Sequence, residues 1–122
     1  MARQYQKTNA VTMIATAALL ANRLVSHSGA YATSAGGALD AIGVSETNAG
    51  VGEALPVVTG FSFLVQSSAA LPDHAFVRPA ADGSGRAEVG TATDHCGRVM
   101  PGGGTTAADQ LAEIRILPHR HV

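Results

Sequence analysis

At 122 residues the chain is long enough for one domain with a core of its own. Apolar residues make up 46% of it and charged residues 14%, which excludes a disordered chain. A formal net charge of −1, with no window rich in basic residues, excludes the electrostatic footprint of a nucleic-acid binder. Alanine and valine carry the apolar share and aromatics only 4%, so the core is expected to be built from small side chains. Fourteen glycines without a three-residue period fit many tight turns and exclude collagen. The single cysteine, Cys96, cannot form an internal disulfide and suits synthesis in a reducing cytoplasm.

Met1 to Asn9 (MARQYQKTN) is polar and aperiodic, as a flexible arm would be. From Ala10 to Ala17, Val11, Met13 and Ala15 alternate with Thr12, Ile14 and Thr16, which favours a strand over the helix that the alanine content also allows. Arg3 and Lys7 ahead of the apolar stretch Ala10–Ala21 resemble a secretory signal, but Thr12 and Thr16 interrupt it and it is too short to span a bilayer. Leu19–Val25 fits either helix or strand, and Ser26–Gly37 (SHSGAYATSAGG) reads as a hairpin or loop. Asp40–Glu46 is a short strand whose Gly43 marks a bulge or a close backbone approach. The central stretch Ala49–Val65 then runs as a Gly50/Gly52 turn, an apolar strand containing Pro56, a Thr59-Gly60 turn and a strand with Phe61, Phe63 and Val65 on one face, read as core. Ser67–Leu71 and a Pro72-Asp73 turn open the second half.

That half echoes the first. Leu19 and Val25 fall over Leu71 and Val77 at an offset of 52, Ile42-Gly43-Val44 falls over Cys96-Gly97-Arg98, and Val58 falls over Ile114 at an offset of 56. Each copy, about 17–66 and 69–117, would run strand, Gly-rich hairpin, Gly-containing strand, Gly-rich turn, final strand. In the last strand Ala112, Ile114 and Ile116 are expected to point inward and Glu113 and Arg115 outward. The prediction is an all-β, sandwich- or barrel-like single domain over 10–122, built from two similar halves closing over a shared core behind an arm over 1–9.

No catalytic, cofactor-binding or metal-ligating set emerges. His119 and His121 read as a solvated tail, and Cys96 as a buried, inert thiol rather than the nucleophile of a His95-Cys96 pair. The PGGGT segment lacks both phosphate-loop patterns and a following helix, so it is a turn. Glu53 and Asp109, at matching points before the final strand of each copy, read as solvated or turn-capping acids.

The phrases AIGVSETNAGVGEALPVVTGF and HCGRVMPGGGTTAADQLAEIRIL, in a small two-copy β chain rich in Ala, Gly and Val, resemble the head decoration, or capsid cement, proteins of tailed bacteriophages. The pieces that carry the resemblance are Gly43–Gly60, Ala69–Gly90 and Gly97–Leu117. It implies a non-enzymatic β-rich protein without a cofactor, made in the host cytoplasm and carried on the outer surface of the virion. It further implies a homo-oligomer, a trimer before a dimer, that clamps major capsid protein subunits of the assembled shell and touches neither nucleic acid nor membrane. Arg3, Gln4, Tyr5 and Lys7 of the arm are the first candidates for the capsid contact. Pro56, inside a family strand, suggests an edge or bulged strand where a partner adds. The alternative is an exported β-domain that binds a carbohydrate or surface ligand, which requires the N-terminus to be a cleaved signal.

Overall fold

The computed structural model describes residues 7–34 and 39–120. Among them the strands are β1 (Ala10–Ile14), β2 (Leu24–Ser26), β3 (Ala41–Ser45), β4 (Ala54–Val58), β5 (Ser62–Gln66), β6 (Phe76–Pro79), β7 (Ala87–Val89), β8 (His95–Val99) and β9 (Leu111–Arg120). They form two antiparallel sheets, ordered β1-β4-β3-β2 and β5-β9-β8-β6-β7. The fold is an all-β sandwich without a closed barrel, and the described residues contain no α-helix. The chain passes from the first sheet to the second at Thr59–Phe61, where Phe61 takes a φ of +50°. β5, read from sequence with the first half, therefore belongs to the second sheet.

The two sheets repeat one topology. In the first, β2, β3 and β4 form a meander and β1 lies beside β4, a Greek key; in the second, β6, β8 and β9 repeat it with β5 beside β9, while β7, between β6 and β8 in the chain, pairs on the outer edge of β6. The registers repeat as well. Leu24 opposes Val44 and Val25 opposes Gly43, while Phe76 opposes Arg98 and Val77 opposes Gly97. Val44 opposes Val58 as Arg98 opposes Arg115, and Val11 opposes Val57 as Phe63 opposes Ile114. The left-handed residues Asn22 (φ 62°) and His74 (φ 68°) match, as do Gly52 (φ 84°) and Asp109 (φ 62°). The last strands therefore correspond with Val57 over Ile114 and Val58 over Arg115, one residue beyond the register read from sequence. A slip of one residue exchanges the faces of a strand, and the burial of Ala54–Val57 matches that of Leu111–Ile114 only in the structural register.

A side chain on Gly43 would run into the Val58 carbonyl, so β3 and β4 do approach closely there; the ladder to β2 also shifts register between Val25 and Ser26. Ala112 and Ile114 are fully buried and Ile116 packs against them, as predicted. Pro56, by contrast, is on no edge: β4 is flanked by β1 and β3, and Pro56 lies opposite Thr12. The sheet tolerates it because its nitrogen faces the rung after Ser45 and Val57, where β3 is ending; one donor is lost while the Glu46 amide still reaches the Pro56 carbonyl at 3.0 Å. His119 is likewise no solvated tail. β9 runs to Arg120, and the His119 side chain is only 1% exposed.

The core explains how the sheets are stacked. Leu24, Val44 and Val58, in one cross-strand row of the first sheet, belong to the same buried cluster as Phe63, Val65, Val77, Ala112 and Ile114 of the second. The opposite face of the first sheet, with Val25, Leu55 and Val57, is covered by its own connections through Ala15, Leu19, Ala49 and Tyr31. In the second sheet the residues matching that loop-covered face, Val77, Ala112 and Ile114, are the ones that meet the first sheet. The units thus pack head to tail, and the row in the second sheet that matches Leu24, Val44 and Val58 is left facing outward. That row is Phe76, Arg98 and Arg115.

Candidate binding surface

The outward row lies on the solvent face of the five-stranded sheet. Arg98 on β8 and Arg115 on β9 are direct cross-strand partners, both exposed. Like charges directly opposite one another on a sheet repel, so something must hold the pair. Each guanidinium rests on a different aromatic ring: Arg98 lies 4.6 Å from the centroid of Phe76, and Arg115 lies 5.4 Å from that of Phe61. Arg98 Nε also donates to the His74 carbonyl at 2.8 Å. Phe76 is supported in turn by the His95 ring, with centroids 4.5 Å apart. The left-handed turn at Phe61 breaks the alternation expected from sequence, so Phe63 enters the core while Phe61 stays 39% exposed beneath Arg115.

Among the described residues neither arginine has a carboxylate within ion-pair distance. Two other arginines of this half of the fold, Arg78 on β6 and Arg86 just before β7, differ. Arg78 binds Glu88 and Asp94 at 2.8 and 2.7 Å, and Arg86 binds Asp109 and Asp82 at 2.7 and 3.2 Å. These partners raise both guanidinium pKa values above their ordinary value, chiefly through hydrogen bonds to the carboxylates. Glu113, two residues before Arg115, instead accepts the Ser62 hydroxyl at 2.9 Å. A cleft of about 230 Å³ opens beside the pair, lined by His74, Val99, Met100 and Pro101 as well as the two arginines.

A second cleft, about 390 Å³, lies at the seam between the sheets and includes His27, Asp40, Ile42, Thr59, Leu117 and His119. The Ala41 amide donates to His119 Nδ1 at 2.6 Å, which places the proton of the neutral ring on Nε2. This contact ties the end of β9 to the start of β3. Among the described residues no group of three His, Cys, Asp or Glu is placed to hold a metal ion. Cys96 is buried as expected, and burial pushes its thiol pKa well above the ordinary range, the opposite of what a nucleophile needs.

Of the contact residues named from sequence, Arg3, Gln4 and Tyr5 lie outside the described residues. Lys7 bridges to Phe61 through its backbone, and its ammonium meets Glu46 at 2.5 Å. The open edge next to the arm is β1, not β4; Val11 and Ile14 on it are 40% and 57% exposed. Arg98 and Arg115 were not singled out from sequence. A signal was there, since the internal repeat sets Arg98 over Val44, an apolar residue replaced by a charge.

The fold and this surface define an all-β sandwich of two stacked Greek keys with a basic, aromatic-backed face. No protein-family model matches the chain, and no curated protein matches it either. Among solved structures, it is similar to the N base of the head fiber gp8.5 of bacteriophage phi29, with a TM-score of 0.61 and 14% sequence identity. The superposition covers 93% of this chain and 98% of that chain. At that identity the likeness is one of fold.

Proposed function

We propose that this chain is a structural protein of a bacteriophage head, which docks on the outer surface of the assembled shell and stabilises it. The observation that carries the reading is the end-to-end likeness to the N base of a phage head fiber. It extends over nearly the whole of both chains, so it concerns the complete double-Greek-key stack and not one shared motif. In this reading the partner is the major capsid protein, the chain acts as a homotrimer or dimer, and it performs no catalysis. It is made in the host cytoplasm and carried on the virion. Binding the assembled lattice more tightly than the loose subunit shifts the shell toward its intact state by mass action, and several weak contacts per oligomer reinforce one another through effective concentration.

Arm residues Arg3, Gln4, Tyr5 and Lys7, followed by the exposed edge of β1, are the proposed first contact. The test is cosedimentation of the full-length chain with phage heads assembled without it, beside unassembled major capsid protein. Saturable binding to heads, reduced when Met1–Lys7 is deleted, is the expected result. Equal binding to loose subunits, or none to heads, overturns the reading, and undiminished binding by the deletion variant removes the arm from it.

A further inference from the structure

We infer that the Arg98/Arg115 face is a docking site for an acidic segment of a protein partner, whose carboxylates pair with the two guanidiniums. The inference rests on the head-protein reading only for the partner's identity; its chemistry follows from the face itself.

Three observations carry it. First, the face is the counterpart of an interface already used inside the molecule: Leu24, Val44 and Val58 of the first sheet occupy the matching positions and are buried against the second sheet. Phe76, Arg98 and Arg115 present the same row to the outside. A second copy stacked in the same way is disfavoured, because it would bury two guanidiniums against apolar side chains.

Second, two arginines set directly opposite one another cost stability, and the fold holds them in place on Phe61 and Phe76 without neutralising them. Glu113, the nearest candidate on the same strand, is turned to Ser62. An arrangement that is unfavourable in the isolated chain and complementary to two carboxylates marks a surface shaped by a partner. Guanidiniums backed by rings are also preorganised, so little side-chain entropy is lost when a carboxylate binds.

Third, the surroundings select protein over nucleic acid. Met100 and Pro101 give the cleft an apolar rim, Glu113 lies two residues from Arg115 on the same strand, and the chain as a whole carries −1. A phosphate backbone needs a longer basic track than two arginines supply.

The test uses the full-length chain and a fluorescently labelled oligoglutamate peptide, with a single-stranded oligonucleotide of equal charge beside it. Anisotropy is followed from low to physiological salt. The paired variant Arg98→Gln/Arg115→Gln is compared with Arg86→Gln, which removes a guanidinium that already has internal partners. Wild type and Arg86→Gln are expected to bind the peptide, more weakly as salt rises, and the paired variant to bind about tenfold less tightly, the worth of two partly exposed ion pairs. Its melting temperature is expected to stay within a few degrees of wild type, because the ring contacts and the His74 hydrogen bond that are lost are offset by removal of a like-charge pair; a larger fall assigns the pair a structural role and overturns the inference. Failure of the wild type to bind, equal binding by the paired variant, or tighter binding of the oligonucleotide also overturns it. The head-protein reading is separable: heads that bind wild type and the paired variant equally sink this inference alone, and peptide binding without head binding sinks only that reading.

Discussion

Replacing Gly43 with alanine probes the closest backbone approach at any of the described glycines. A Cβ there would fall on the carbonyl oxygen of Val58, 2.9 Å from its carbon and 3.1 Å from Val57 Cγ1. Two of these three atoms are backbone of the neighbouring strand, so no side-chain rotation relieves the clash. β3 must move away from β4, weakening the Val44 to Val58 rung. Overpacking of this kind costs roughly 1–3 kcal/mol, and a lost backbone hydrogen bond about 1 kcal/mol more, so Gly43→Ala is expected to destabilise by about 3 kcal/mol. With a urea m-value near 2 kcal/mol/M, the unfolding midpoint falls by about 1.5 M. The matching Gly97→Ala meets Arg115 O at 2.8 Å, but its other neighbours, Ile114 Cδ1 at 3.0 Å and Val77 Cγ2 at 3.3 Å, are side-chain ends that can shift. Its cost is expected to be about half as large. Urea melts followed by circular dichroism measure both. A Gly43→Ala protein within about 0.5 kcal/mol of wild type, or one more stable than Gly97→Ala, would refute the close approach of β3 and β4.

Other outcomes follow from single contacts. His119→Ala removes the acceptor of the Ala41 amide and the end of the β9 tie, and is expected to cost about 1–3 kcal/mol in the same melts, whereas a solvated tail would give none. Because the folded Cys96 thiol stays protonated above the ordinary thiol range, the unfolded state gains stability once pH rises past that range. Stability should therefore decline toward high pH by up to about 1.4 kcal/mol per unit from this group, and a Cys96→Val variant melted across the same series should lack that component. The thiol should also resist a disulfide reagent until urea unfolds the chain. Light scattering of the full-length chain is expected to give a trimer or dimer mass; a monomer would remove the oligomer from the proposed function.

Much of the architecture was legible in the sequence. The alternation of Ala112, Ile114 and Ile116 against Glu113 and Arg115 works because one face of β9 is buried and the other is not. Gly43 and Gly97 mark matched strands because each must pass close to a neighbouring backbone. The register of the final strands was missed by one residue because setting Leu55 over Leu111 matches two apolar residues. The structure instead aligns the turns, where Asp109 adopts the left-handed conformation taken by Gly52. Pro56 misled because the rule confining proline to edges concerns full ladders, and here only one donor, at the end of a short strand, is lost. His119 and the Arg98/Arg115 face were hidden for a different reason. Both depend on partners far away in the chain, the Ala41 amide for the histidine and the pairing of β8 with β9 for the arginines.

The central claim, that the protein is a component of the outer phage head, is tested most directly by cryo-electron microscopy of heads incubated with the full-length chain. Density for the double-Greek-key sandwich at repeated positions on the outer surface of the assembled lattice is the expected result. Heads that remain bare at saturating protein, or density confined to their interior, would contradict it.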